Sequence, residues 1–519
     1  MKTKTSRFTV SLRFIFTLFL TFNLSLLGST DSTFLKKKIA QLLICHFHGT
    51  HYNKDAEHLI KNLKIGGVIF YSFSNPFQDA ETVQALTNEL QNQSELPLLI
   101  CVDQEGAPVL RLTNGYSTIP SAFAMSQNPS LIKTIAQQSA EELSHSGINL
   151  NLSPVIDITN EELNCSINTR AFGSNCESVI KNARHWLEGT KPFPILSTLK
   201  HFPGHGQTAI DSHMGLPTTS LHSCSFQEQF FAFLELSKIC PLIMTSHMIV
   251  KELDEKNPLT LSPITLPTLA KFFPKETLWI SDSLAMKAIS LFIPDIADAA
   301  IQTLLAGHDL IILGGKQLLE HEGDLELNLA DFSRVIDKMT DEAIRNPKLK
   351  ARIEESYIKV LHYKSLIDKP LLKSFLISDE NALTCAKNNL KIFGDLNAQH
   401  QAIDTILAPR VLEPLLSQLT NKTIHYFSSQ NLSSRESEEL CSRIQPQSSI
   451  IFFSHDEKRF TNQLDLITKL KENNSLILVQ TKIPLTLQDC DLLLQLASPD
   501  KAALQNAIEL LREKFGCQI

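Results

Sequence analysis

Ile195-Leu-Ser-Thr-Leu199-Lys-His-Phe-Pro-Gly-His-Gly206 joins a strand-length apolar run, Ile195 to Leu199, to a loop dense in histidine and glycine. Gly204 and Gly206 free the loop backbone and Pro203 restricts it, so the loop can carry a side chain into a cleft. The same unit, an apolar run, a loop and an amphipathic stretch, repeats between residues 38 and 365. Eight runs have strand length: Leu42 to Phe47, Gly67 to Tyr71, Leu98 to Val102, Ile148 to Leu152, Ile195 to Leu199, Pro241 to Thr245, Thr277 to Ile280 and Leu310 to Leu313. Between them the apolar positions recur at helical spacing, as in Val83, Leu86 and Leu90, or Leu131, Ile135 and Leu143. Eight alternating strand and helix units predict an α/β fold, a TIM-type (β/α)8 barrel. An open doubly wound sheet is the rival, but no glycine-rich dinucleotide fingerprint follows the first run.

Such a barrel places its chemistry at the C-terminal ends of the strands. Asp103 follows the third run and Asp157 the fourth; Lys200 and His201 follow the fifth, His247 the sixth and Asp282 the seventh. Any one of these is explained by a chain emerging into solvent. Five converging on one mouth point to a pocket. Downstream, Asp211 and His213 stand two apart, so in extended chain both side chains share a side, and a carboxylate beside an imidazole raises its affinity for a proton. That pair fits a general acid/base. His201, His205, Asp211 and His213 also supply enough ligand atoms for zinc, but at a spacing that matches no common zinc motif. His205 is equally well explained by a backbone hydrogen bond. Asp282, set between apolar flanks in Leu278-Trp-Ile-Ser-Asp-Ser-Leu-Ala-Met286, reads as a carboxylate nucleophile or, in isolation, as a helix N-cap.

The run Lys200 to Gly206 with Asp211-Ser-His213, followed by Ile280-Ser-Asp-Ser-Leu-Ala-Met286, resembles the β-N-acetylhexosaminidase (N-acetylglucosaminidase) branch of glycoside hydrolase family 3. The resemblance covers most of residues 35 to 365, and the β-glucosidase branch has no matching Asp-Ser-His loop. It implies that Asp282 is the nucleophile, His213 the acid/base and Asp211 the residue that orients the imidazole. It also implies a sugar-binding set of Asp103 and Arg111, from Asp103-Gln-Glu-Gly106 and the arginine after it, with Arg170 from Arg170-Ala-Phe-Gly173 and the pair Lys200 and His201. Charged groups of these types form charge-assisted hydrogen bonds to hydroxyl and acetamide oxygens. The chain departs from the family pattern at Ala107-Pro108, where Gly-Arg is usual, and over Glu161 to Asn168. The reaction implied is retaining hydrolysis with no cofactor and no metal. A phosphorylase on the same fold, or a catalytically silent glycan-binding or scaffold protein, is the alternative.

The rest of the chain sets the context. Residues 31–368 form the expected catalytic barrel and residues 380–519 a smaller α/β sandwich-like domain, with runs at Ile406-Leu407, Ile424 to Phe427, Ile450 to Phe453, Leu476 to Val479 and Leu492 to Leu494. A linker near Asp368 to Asp379 separates them. A net charge of −7 from 48 Lys plus Arg and 55 Asp plus Glu argues against nucleic acid as a partner. Lys2, Lys4, Arg7 and Arg13 precede an apolar run from Phe14 to Leu27, short for a bilayer span, and Gly28, Ser29 and Thr30 follow it. Residues 1–30 therefore read as a signal peptide, which implies export to the periplasm or cell envelope and membrane contact only through an uncleaved leader. With a carbohydrate substrate, the family branch and the leader together suggest N-acetylglucosamine-terminated peptidoglycan fragments. The ten cysteines show no metal spacing; Cys45, Cys101 and Cys240 read as small buried hydrophobes.

Overall fold

A computed structural model describes residues 32–159, 167–206, 216–315, 326–367, 377–394, 403, 405–417, 424–427, 432, 434–454, 462–481 and 492–515. The leader, the pair Asp211 and His213, most of Glu161 to Asn168 and residues 368–376 of the linker lie outside the described residues. No described helix is long and apolar enough to cross a membrane.

The strands are, in chain order, β1 Leu43–Cys45, β2 Gly67–Phe70, β3 Leu99–Val102, β4 Leu150–Asn151, β5 Leu196–Ser197, β6 Leu199–Phe202, β7 Thr218–Thr219, β8 Leu242–Thr245, β9 Ile249–Val250, β10 Leu278–Ser281 and β11 Ile311–Ile312, then β12 Lys391–Gly394, β13 Thr405–Pro409, β14 Ile424–Phe427, β15 Ser449–Ser454, β16 Ser475–Gln480 and β17 Leu492–Gln495. One parallel sheet runs β11-β1-β2-β3-β4-β5 and a second β10-β8-β6. Two parallel bridges, Val155 to Lys200 and Ile280 to Leu310, join these sheets at both edges. Parallel pairing therefore passes round β1, β2, β3, β4, β6, β8, β10 and β11 and returns to β1. Each of these strands is buried along its whole length, and β1, β2, β3 and β11 carry no polar side chain at all.

The helices between them bury one face. In Ala80–Gln93 the Asp79 carboxylate accepts from the Thr82 amide at the N-terminus, and Val83, Leu86 and Leu90 pack inward. In Leu329–Arg345 Asn328 and Asp331 form a capping box, and Phe332, Val335, Ile336 and Met339 supply the apolar stripe.

One boundary differs from the sequence expectation. The fifth run divides into β5 and β6, and β6 continues through Lys200 and His201, so these two lie within a strand and are buried. Polar residues are tolerated there because carboxylates on neighbouring strand ends pair with them. The last sheet, ordered β12-β17-β16-β15-β13-β14, is parallel except where β12 runs antiparallel to β17. Its five parallel strands are those expected; β12, a short edge strand directly after the helix Glu380–Asn389, carries no turn signal that would have announced it. The second unit meets the first at the N-terminus of the helix Glu380–Asn389, where the Thr118 amide donates to Asp379 at 2.7 Å, and beyond β17, where the Ser121 hydroxyl donates to the Ala497 carbonyl at 2.7 Å.

Candidate active site

The ends of β3, β4, β6 and β10 build the site. Gln104 shapes the loop after β3: its side-chain oxygen accepts from the Arg111 and Leu112 amides at 3.0 and 3.1 Å, and its side-chain nitrogen donates to the Leu112 carbonyl at 2.6 Å. Gly106 lets this loop turn: its φ is +108°, and a Cβ there would stand 2.3 Å from the Pro120 carbonyl oxygen. The unusual Ala107-Pro108 follows it. The turn brings Arg111 back toward Asp103, with 3.5 Å between Arg111 Nη2 and Asp103 Oδ2.

Lys200, from β6, reaches two carboxylates, Asp103 Oδ1 at 2.8 Å and Glu105 Oε1 at 2.6 Å. Arg170 grips Glu105 bidentately, Nε to Oε2 at 2.8 Å and Nη2 to Oε1 at 2.9 Å, and its Nη2 lies 3.3 Å from His201 Nε2. His201 Nδ1 faces Asp157 Oδ2 at 2.7 Å, and the Asp157 carboxylate also accepts from the His201 and His205 amides. The His205 amide thus anchors the loop after β6 to the end of β4.

Opposing effects set the charges of these groups. Burial alone would push the Asp103, Glu105 and Asp157 carboxyls up, but the neighbouring cations outweigh it. Lys200 and Arg111 hold Asp103 below the usual carboxylate range, Arg170 and Lys200 hold Glu105 well below it, and His201 lowers Asp157. Burial would likewise lower Lys200, yet Asp103 and Glu105 raise it. Asp103, Glu105, Asp157 and Lys200 are therefore charged at neutral pH, and with Arg111 and Arg170 they set carboxylates beside cations across the mouth.

Asp282 follows β10. Its amide donates to the Thr245 carbonyl at 3.2 Å, and its Oδ1 accepts from the Ser283 amide at 2.7 Å. The next helix, Lys287–Ser290, has Met286 at its N-cap, so Asp282 does not cap it. The backbone around Asp282 is braced from three sides. The Ser283 hydroxyl donates to the Gly314 carbonyl at 2.5 Å, and His247 Nε2 donates to the Ser283 carbonyl at 2.9 Å while its Nδ1 faces the Thr260 hydroxyl at 2.7 Å. His308 Nδ1 donates to the Thr303 carbonyl, so its Nε2 accepts from the Thr245 hydroxyl at 2.8 Å; burial pushes this imidazole down to about 3, which keeps it neutral.

Tyr71 stands beside the charge network. Arg111 lies over its ring, 6.0 Å from the centroid, and its phenol is pushed up well above its ordinary value, first by burial and then by Asp103 and Asp282. A Cβ on Gly314 would stand 3.3 Å from the Tyr71 hydroxyl.

The structure thus brings together Asp103, Arg111, Lys200, His201 and Arg170 of the expected set, with Asp282 at the same mouth; Asp211 and His213 are outside the described residues. Two residues belong to the arrangement that the sequence reading left without a role. Glu105 lies inside Asp103-Gln-Glu-Gly106, and charge balance points to it, since the three cations Arg111, Arg170 and Lys200 in an apolar pocket need more than the single carboxylate Asp103. Tyr71 ended the second run and carried no separate signal. The expected burial of Cys45, Cys101 and Cys240 is also seen, and all three are free thiols.

The family model described as the glycosyl hydrolase family 3 N terminal domain matches residues 34–355. The beta-hexosaminidase A of Pseudoalteromonas piscicida is 31% identical over 296 residues, which cover 52% of this chain and 49% of that protein. The chain therefore spans about half the length of that relative. The beta-hexosaminidase of Photobacterium profundum is 30% identical over 271 residues, 51% of this chain and 79% of that protein. Among solved structures, a glycoside hydrolase family 3 beta-N-acetylglucosaminidase from Paenibacillus sp. str. FPU-7 is similar with a TM-score of 0.75 at 23% identity, covering 93% of this chain and 97% of that one, a likeness of fold.

Proposed function

The chain belongs to glycosyl hydrolase family 3, and on that footing we propose that it is a retaining β-N-acetylglucosaminidase that removes terminal N-acetylglucosamine from glycans, peptidoglycan fragments in particular. We read the ring of eight strands as its (β/α)8 barrel and residues 380–519 as a second α/β domain. The observation that carries the reading is the ionised network of Asp103, Glu105, Lys200 and Arg170, with His201 hydrogen-bonded to Asp157, at the same mouth as Asp282. A sugar seated on this network would meet the carboxylate of Asp282 at its anomeric carbon. In the first step Asp282 attacks that carbon as His213 protonates the leaving oxygen; in the second His213 takes a proton from water, which displaces the carboxylate. Asp211 orients the imidazole. A neutral imidazole, unlike a second carboxylate, adds no anion beside Asp282 once it has given up its proton. Export through the leader would put this activity in the cell envelope.

Incubation with a chromogenic N-acetyl-β-glucosaminide and with the β-glucoside analogue tests the activity. Rapid cleavage of the first alone is expected, with the β-anomer released; equal cleavage, or an inverted product, overturns the assignment. Binding of N-acetylglucosaminides without turnover would leave a glycan-binding protein instead.

The dyad has its own expected outcome. Asp211→Asn removes the anion that favours the imidazolium, so the His213 pKa falls and the alkaline limb of the kcat/KM profile moves to lower pH by on the order of one unit. His213→Ala slows substrates with poor leaving groups far more than activated aryl ones. An unshifted profile in Asp211→Asn counts against the dyad.

A further inference from the structure

His46, His48 and Glu326 converge beside the pocket, where the end of β1 meets the chain that follows β11. His46 and His48 stand two residues apart beyond β1 and bring both Nε2 atoms to the same side. Glu326, 278 residues beyond His48, presents Oε1 to both, 3.0 Å from His46 Nε2 and 2.5 Å from His48 Nε2. One ligand atom from each residue lies within 4.8 Å of the other two. The His46 ring touches Tyr71 edge-on at 6.1 Å between centroids, so the cluster adjoins the Tyr71 side of the mouth. Neither the proposed hydrolysis nor the carboxylate network uses these three residues.

From this geometry we propose that His46, His48 and Glu326 form a binding site for a divalent ion of the zinc class. Two imidazoles and one carboxylate are a donor set that zinc accepts, and they leave a coordination position open for water or a ligand oxygen. The set runs from buried to open. The His46 side chain is 2% exposed, while Glu326 at 33% and His48 at 56% face an opening to solvent. Bonds of about 2.0–2.1 Å to a tetrahedral ion place ligand atoms about 3.3 Å apart. Both contacts to Glu326 therefore need to widen by less than about 1 Å, and the exposed partners can supply that movement.

One contact opposes the ion. The Gly315 amide points at His46 Nδ1 from 3.3 Å, whereas an ion on Nε2 requires the proton on Nδ1. A neutral hydrogen bond this long is weak beside a bond from imidazole to zinc, so the ion prevails and the ring gives up the amide. The ion would tie the strand that opens the ring to the chain that closes it, one strand away from Asp282.

The test is Zn2+ binding by the whole chain after dialysis against chelator, followed by isothermal titration and elemental analysis. One equivalent is expected for the wild type. His48→Ala and Glu326→Gln, both at partly exposed positions, are each expected to weaken binding by roughly 100-fold or more. Co2+ in place of Zn2+ should give visible d–d absorption without the thiolate charge-transfer band that a cysteine site adds. Less than about a tenth of an equivalent of Zn2+ in the wild type, unchanged affinity in both variants, or a thiolate band would each overturn the site. None of these readouts depends on the hydrolase activity, so the proposal stands or falls apart from it.

Discussion

Asp282→Ala is expected to lower kcat on an aryl N-acetyl-β-glucosaminide by at least about 10³-fold, which corresponds to roughly 4 kcal/mol of the barrier, while the thermal midpoint changes little. The size follows from the role, since without a carboxylate at this position the covalent intermediate has no bond to form. The stability expectation follows from the surroundings. The Asp282 side chain accepts from the Ser283 amide next to it, whereas the backbone is held by the Thr245 carbonyl, the Ser283 hydroxyl on Gly314 and the His247 ring on the Ser283 carbonyl. Those braces survive the substitution. Azide, a small anion able to enter the space left by the carboxylate, should restore turnover and yield an α-glycosyl azide, because it attacks from the face that Asp282 had occupied. A variant that retains about a tenth of wild-type turnover, or one rescued with the β-azide as product, removes Asp282 from the nucleophile's role.

The strands are legible because a parallel sheet covered on both faces favours apolar side chains on both, and β1, β2, β3 and β11 are apolar throughout. β6 was cut short for the same reason read in reverse. Lys200 and His201 look like an exit into solvent, but they lie within the strand because Asp103, Glu105 and Asp157 arrive from elsewhere in the chain to neutralise them. β12 carries no strong pattern of its own, being a short edge strand paired on one side.

The same distinction separates the site residues. Asp103 and Lys200 sit in recognisable motifs, so their types were legible, but what they touch depends on partners 97 residues apart. Arg170 was legible as a cation; its bidentate hold on Glu105 was not, because charge balance within a pocket is a property of the assembled mouth. His46 and His48 share the two-residue spacing that puts two side chains on one side, but nothing in the sequence points to Glu326 as their partner. The Glu326 carboxylate meets the two histidines only because β11 pairs with β1.

Glu105→Gln is expected to destabilise the protein by about 3–5 kcal/mol at neutral pH, a fall in Tm of roughly 10 °C, and to cut kcat/KM sharply. Glu105 is 5% exposed and holds two buried cations, Lys200 at 2.6 Å and Arg170 through two hydrogen bonds. The amide of glutamine carries no charge and turns donors of its own toward them, which leaves Asp103 as the remaining carboxylate on Lys200. The pH dependence has a definite sign. Burial opposes ionisation of Glu105, but Arg170 and Lys200 prevail, and its pKa in the folded chain lies well below the ordinary value of about 4.3. A depressed folded-state pKa contributes stability that is complete above the unfolded value and lost as pH falls toward the folded one. The gap in Tm between wild type and Glu105→Gln should therefore stay level from about pH 7 to about pH 5 and narrow below about pH 4. Melting curves across that range decide the matter. A gap that widens on acidification, or a variant as stable as the wild type at neutral pH, would mean that Glu105 is not the carboxylate on which Lys200 and Arg170 depend.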